Sequence, residues 1–126
     1  MLKTALSGAS LLLFGIGPVL ADQCVATIPS VNICKRCRTP LSAATTAGTS
    51  CFGAPPPPQM GRRVLLESKV ASQPKNGRVT ISGATWTYTP KAGFTGRDPF
   101  VIERNYIESE QLFVIYLDVN MDVRPR

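Results

Sequence analysis

Four cysteines are the side chains of this sequence best suited to covalent chemistry, and all lie in its first half: Cys24, Cys34, Cys37 and Cys51. An even number of cysteines in an exported chain indicates two disulfides, for which three pairings exist. A spacing of three residues disfavours a bridge between Cys34 and Cys37. We therefore expect both of them to pair outward, with Cys24 and Cys51.

The CKRC motif at residues 34–37 has three other possible uses, and the sequence favours none of them. A redox dithiol lies at the start of a helix in an alternating strand and helix pattern, which the sequence does not show here. Four-cysteine zinc sites usually contain two close pairs, whereas this chain has one. Haem attachment needs a histidine, and the chain has none. We expect no cofactor.

Three basic residues accompany this motif: Lys35, Arg36 and Arg38. They are candidate contacts for an anion, and the simpler interpretation is a solvated loop. The whole chain carries a net charge of +6. For an exported protein this charge favours envelope polysaccharide, lipid headgroups or acidic proteins over nucleic acid as partners.

Oxygen-bearing side chains alternate near the end of the chain, at Asp118, Asn120 and Asp122. Calcium loops begin with this spacing, but the glycine that such loops require does not follow. The same alternation is typical of a strand with one wet face. We expect no metal and keep these three residues as a weak calcium candidate.

Catalysis by a serine or cysteine nucleophile with a histidine base is excluded because the chain has no histidine. Paired carboxylates are the remaining option, and Glu108 and Glu110 are the candidates. Their segment, residues 105–111, is polar and predicts a loop between strands. We expect these charges to be solvated and the protein not to be an enzyme.

The first 21 residues have the three parts of a secretory signal peptide in order. Lys3 precedes an apolar run over residues 9–20, and the small residues Val19 and Ala21 precede the expected cut. The run is too short for a transmembrane anchor. The sequence therefore predicts a protein exported to the periplasm or the cell exterior.

Composition divides the remaining chain into three parts. Residues 22–53 hold the cysteines and a stretch of small residues, and we expect a mostly irregular segment closed by disulfides. Residues 54–61 contain four consecutive prolines and predict a stiff linker. Residues 62–126 are expected to form the folded domain.

The C-terminal part shows strand patterns and no sustained helical periodicity. Strands are predicted over residues 63–70, 98–104 and 111–123, and a turn over 73–77. Between them we predict a hairpin that turns at Ser82-Gly83, with Ile81 opposite Ala84.

Two aromatic residues of this hairpin, Trp86 and Tyr88, share its apolar face with Val79 and Ile81. Either they fill the core, which we favour, or they form an exposed platform that stacks on sugar rings.

The last strand is apolar on both faces near its start, where Leu112, Val114 and Tyr116 alternate with Phe113 and Ile115. This part must be central in its sheet or covered by another surface. At an edge, it would be the expected site of self-association.

This region resembles the bacterial Ig-like (cadherin-like) repeats of exported proteins in three stretches: PKNGRV (74–79), WTYTP (86–90) and GFTGRDPF (93–100). The resemblance covers about residues 62–123 in a single copy. It implies an all-β fold, an antiparallel Ig-like β-sandwich, and a structural or adhesive role without a common catalytic site. We therefore expect a non-catalytic structural or protein-interaction module of the cell envelope. The alternative is a module that binds carbohydrate or an anionic polymer.

Overall fold

A computed structural model describes residues 24–27, 34–53 and 59–126 of the chain. The predicted signal peptide and prolines 55–58 lie outside these residues. In chain order the strands are β1 (Val25–Thr27), β2 (Arg36–Thr46), β3 (Cys51–Phe52), β4 (Gln59–Met60), β5 (Arg63–Ser72), β6 (Gly77–Ser82), β7 (Thr85–Pro90), β8 (Gly96–Arg97), β9 (Phe100–Glu108) and β10 (Gln111–Arg124).

These strands form two sheets. The larger has the order β1-β2-β10-β9-β5-β4, and β8 also pairs with β10. The smaller has the order β3-β7-β6. Neighbouring strands are antiparallel except β2 and β10, which run parallel from the pair Arg36 and Val114 to the pair Thr46 and Arg124.

The inner faces of the two sheets pack around aromatic rings. Phe100 of the larger sheet meets the edge of Trp86, with ring centroids 5.2 Å apart, and stacks on Tyr88 at 5.7 Å. All three rings are buried, as are Ile102 and Met121 beside them. Because aromatic side chains bury large areas, they dominate this core. The predicted all-β sandwich is confirmed.

The expectation of a mostly irregular N-terminal segment is wrong for β2. This strand pairs with β10 along all of its 11 residues. Its inward positions include Thr39, Leu41 and Ala43, which are buried. The many small residues of this segment suggested a loop, but their side chains fit into the core beside β10. β1 pairs only with residues 42–44, so no described strand pairs with β2 at Pro40 on the side away from β10. A proline is tolerated at such a position because it has no amide hydrogen to donate.

Residues 36–53 share both sheets with the rest of the chain and do not form a unit of their own. After β2 the chain turns and adds β3 to the smaller sheet, where Cys51 lies opposite Tyr88. The Gly53 amide donates to the carbonyl oxygen of Trp86 at 2.9 Å. A Cβ at Gly53 would overlap the Trp86 indole, so the close approach requires glycine.

The predicted outward pairing of Cys34 and Cys37 is wrong. The disulfides join Cys24 to Cys51 and Cys34 to Cys37. A bend before β2 brings the Cα atoms of Cys34 and Cys37 to 5.5 Å, within the range that a disulfide spans. Cys24 immediately precedes β1, and its bridge to Cys51 links the edge of the larger sheet to the smaller one.

The β6–β7 hairpin has the predicted faces, but its turn lies one residue later than predicted. Ile81 pairs with Trp86 and Ser82 with Thr85, so the loop is Gly83-Ala84. Gly83 has φ +63°. A glycine at the first loop position supplies the positive φ that two-residue hairpins favour, which explains the shift.

The last two strands differ in how well they follow the sequence pattern. β10 buries the alternating set Ile115, Leu117, Val119, Met121 and Val123, on the face opposite the predicted wet face of the strand. From Val114 onward it lies between β2 and β9 and is therefore central, which is one of the two positions expected for a strand that is apolar on both faces. β9 continues to Glu108, which makes the predicted loop at residues 105–111 a two-residue turn between strands.

Candidate functional site

A groove of about 540 Å³ lies on the outer face of the larger sheet, the face turned away from the smaller sheet. Four adjacent strands, β2, β10, β9 and β5, supply its walls and floor. Alternation along β10 turns Leu112, Val114 and Tyr116 outward, and these side chains line the groove together with Leu66 of β5. The apolar outer face of β10 noted in the sequence is therefore the floor of this groove.

The apolar side chains at one end of the groove are exposed. Val64, Ile107 and Leu112 lie directly opposite one another across β5, β9 and β10. Val64 is 47% exposed, Leu66 55% and Leu112 53%. A contiguous apolar patch with a polar rim often marks a site of protein–protein interaction. This end of the groove has the character of a binding surface.

Charged side chains form the rim of the same groove. The Lys69 ammonium lies 3.5 Å from a Glu103 carboxylate oxygen and 3.7 Å from one of Glu67. Asn105, which is buried, donates from Nδ2 to Glu67 at 3.1 Å. Its Oδ1 is buried and has no hydrogen-bond partner among the described residues. An exposed Arg36 completes the lining.

The basic cluster predicted from the sequence is divided by the fold. Arg38 binds Asp118 through two hydrogen bonds of 2.9 and 2.5 Å, and its guanidinium lies over the Tyr116 ring at 4.8 Å. The hydrogen bond to Asp118 raises the pKa of Arg38. Arg36 and Lys35 are exposed and remain candidate anion contacts.

The calcium candidates point the same way along β10 but do not converge. Residues two apart on a strand are separated by roughly 7 Å, which is too far for one ion to bind several of them. Asp118 is engaged by Arg38, and Asp122 lies 3.2 Å from Arg124. Among the described residues, no group of three histidines, cysteines or carboxylates is arranged to hold a metal ion.

The two candidate catalytic carboxylates are separated by the β9–β10 turn. Glu108 ends β9 and lies 3.4 Å from Arg63. Glu110 is in the turn, with φ +64°, and is exposed. Because one belongs to a strand and the other to the turn, they do not share the strand face that their spacing implies.

Trp86 and Tyr88 do not form a platform. Trp86 is 1% exposed and Tyr88 has no exposed surface. Sugar stacking on these rings is excluded in the folded chain, and their role is to fill the core.

Asp98 is a structurally important residue that the sequence reasoning missed. It is 1% exposed, and its carboxylate accepts hydrogen bonds from the Tyr88 hydroxyl at 2.7 Å and from the amides of Lys75 and Asn76 at 3.1 and 3.0 Å. The sequence did contain a signal for Asp98, because this residue lies within the GFTGRDPF stretch that carries the resemblance to the Ig-like repeats. Its three donors come from the other two stretches, so all three meet at one carboxylate.

Alkaline pH is expected to destabilise the fold through Tyr88. Burial, and then the bond to Asp98, raise the pKa of its hydroxyl above the unfolded value of 10.0. The contribution of the protonated Tyr88 hydroxyl to the free energy of unfolding is therefore complete below about pH 10. At higher pH the unfolded chain loses this proton before the folded one does, so the free energy of unfolding falls by up to about 1.4 kcal/mol per pH unit. Denaturant titrations from pH 8 upward measure this loss.

The matched variant for this test is Tyr88→Phe, which we expect to be less stable at pH 8 but to lose less stability above pH 10. Tyr106, whose pKa burial also raises, accounts for part of the remaining dependence. An identical decline in both proteins above pH 10 would contradict the assignment to Tyr88.

Within the described part of the chain, no helix has the length and apolar character needed to cross a membrane. No family model matches this chain, and no curated protein matches its sequence.

Proposed function

We propose that this chain is a non-catalytic, exported module of the bacterial cell envelope that binds another protein through the outer groove. The observation that carries the proposal is the exposed apolar end of the groove, formed by Val64, Leu66 and Leu112. Apolar side chains surrounded by a charged rim are typical of protein interfaces, whose centre is apolar and whose periphery is polar.

Export is supported by the two disulfides, which form and persist in oxidising compartments. The signal-peptide pattern of residues 1–21 agrees with this location. We propose that the exported protein is located in the periplasm or at the cell exterior.

The resemblance to bacterial Ig-like repeats remains a proposal, and two features support it. The chain forms a two-sheet sandwich, and the three stretches that carry the resemblance meet at Asp98. Their meeting at one buried carboxylate gives these three stretches a common structural role in this chain. Such a role is consistent with adhesion or assembly rather than catalysis.

We expect Leu112→Asp to abolish partner binding without unfolding the protein. Leu112 is 53% exposed, so the substitution removes little core contact, whereas a carboxylate in an apolar interface costs about 2 kcal/mol or more. Tagged exported protein is isolated from the cells that produce it, and the co-isolated proteins are quantified.

Thr80→Asp is the matched control because Thr80 is exposed on β6 of the other sheet. The proposal predicts a partner that is retained by the wild type and Thr80→Asp and lost by Leu112→Asp. Equal recovery with all three proteins would place the binding surface elsewhere.

A further inference from the structure

Among the described residues, no strand pairs with one edge of the larger sheet along most of its length. β4 pairs with β5 only at Arg63 and Val64. From Leu65 to Ser72, no strand in the described parts of the chain pairs with this edge of β5. Backbone N–H and C=O groups along an open edge can pair with another extended chain.

The corresponding edge of the smaller sheet is protected. The Gln73 side chain donates from Nε2 to the Val79 carbonyl at 2.9 Å and accepts from the Val79 amide at 2.9 Å. An amide side chain thus occupies the groups of β6 that an added strand would need. β5 has no such cover among the described residues.

The charges on β5 are self-complementary about Ser68. Glu67 and Lys69 flank this residue and are about equally exposed, at 55% and 54% of their side chains. When two identical antiparallel strands pair with Ser68 opposite Ser68, Glu67 of each copy lies opposite Lys69 of the other. Opposite charges at such positions stabilise strand pairs, and like charges destabilise them.

The geometry of β5 confines this pairing to a short stretch. Register shifts interrupt the β5–β9 pairing next to Leu66 and Ala71. Between them, residues 67–70 pair regularly with β9 from Asn105 to Ile102. The regular stretch contains Glu67, Ser68 and Lys69, which are the three residues at the centre of the self-complementary arrangement.

We propose that a second copy of this chain pairs with the open edge of β5 as an antiparallel strand centred on Ser68. The two larger sheets then form one continuous sheet across a two-fold axis. Glu67 and Lys69 also belong to the rim of the groove, so the two surfaces adjoin. Leu112 lies two strands away on β10 and takes no part in the strand pairing.

Charge reversal tests the proposed register. Glu67→Lys and Lys69→Glu each place like charges opposite each other at both ends of the pairing, and each should weaken the dimer by about tenfold or more. In an equimolar mixture, one variant presents two basic side chains and the other two acidic ones, so a mixed dimer regains both pairs. Sedimentation velocity over a wide concentration series measures the mass, and native mass spectrometry identifies the mixed dimer.

The expected result is a dimeric wild type, two separately weakened variants and a restored mixed dimer. A folding defect would not be repaired by mixing, and Leu112→Asp should dimerise as the wild type does. The proposal is overturned by a wild type that stays monomeric up to high micromolar concentration. It is equally overturned if either variant alone dimerises normally, or if the mixture does not restore the dimer.

Discussion

Replacing Asp98 with alanine is expected to lower the free energy of unfolding by about 4 kcal/mol, because three buried or partly buried donors lose one charged acceptor. The Tyr88 hydroxyl has no route to solvent, since the ring has no exposed surface. The Lys75 and Asn76 amides lose the group that fixes the turn before β6. Equilibrium denaturation of the oxidised protein at neutral pH measures the loss.

Two further substitutions give this prediction its controls. Asp98→Asn keeps the shape and one acceptor oxygen, so we expect a smaller loss of about 2 kcal/mol. Asp122→Ala removes a carboxylate whose side chain is 48% exposed and paired with Arg124, and the expected loss is below about 1 kcal/mol. If Asp98→Ala unfolds at the same denaturant concentration as Asp122→Ala, the buried carboxylate does not hold the three stretches together.

Removing the Cys24–Cys51 disulfide is expected to cost about 3.5 kcal/mol, whereas removing Cys34–Cys37 should cost roughly 2 kcal/mol, because the longer loop restricts the unfolded chain more. The sequence separations are 27 and 3 residues. Cys51 is also fully buried between the sheets, so its replacement disturbs packing as well. The double variants Cys24→Ala/Cys51→Ala and Cys34→Ala/Cys37→Ala are compared by denaturant unfolding.

Peptide mapping without reduction provides the control for connectivity. Trypsin cleaves after Lys35 and Arg36, which lie between Cys34 and Cys37. Trypsin leaves Cys24 and Cys34 in one peptide because no lysine or arginine lies between them, so elastase, which cuts after small apolar residues, is added to divide residues 25–33. The structure predicts that the fragment of Cys34 then stays linked to that of Cys37 and not to the fragments of Cys24 or Cys51. A map in which Cys34 or Cys37 is linked to Cys24 or Cys51 would contradict the observed pairing. So would a greater loss of stability in Cys34→Ala/Cys37→Ala than in Cys24→Ala/Cys51→Ala.

Alternation and turn residues made much of the C-terminal fold predictable. β10 alternates so regularly over Ile115 to Val123 that its buried face could be named from the sequence. The hairpin faces were equally clear, but its register depended on whether Gly83 is the first or second loop residue. Composition alone does not decide this, because the backbone conformation of that glycine sets the turn.

The N-terminal part was less predictable because its stability comes from distant strands. More than half of the residues of β2 are threonine, serine or alanine, and it is a strand because β10 lies beside it throughout. The nearby pairing of Cys34 and Cys37 depends on the bend before β2, and the remote pairing of Cys24 and Cys51 depends on where β1 and β3 lie. None of these placements is encoded by local periodicity.

The candidate site was predictable only in part. The sequence showed that Leu112, Val114 and Tyr116 needed cover or a central position. It did not show that Leu66 and Val64 of β5 lie on the same outer face, because that depends on pairing between strands distant in sequence. Trp86 and Tyr88 are in the core, as favoured from the sequence, and exposed aliphatic residues line the groove instead.

Site-specific photo-crosslinking in the producing cells tests the proposed binding surface most directly. A photoreactive side chain is placed at Leu112 in one protein and at Thr80 in another, and both are irradiated before the cells are opened. We predict one discrete crosslinked protein partner from position 112 and none from position 80. No crosslink from position 112, or the same products from both positions, would contradict a protein-binding role for the outer groove.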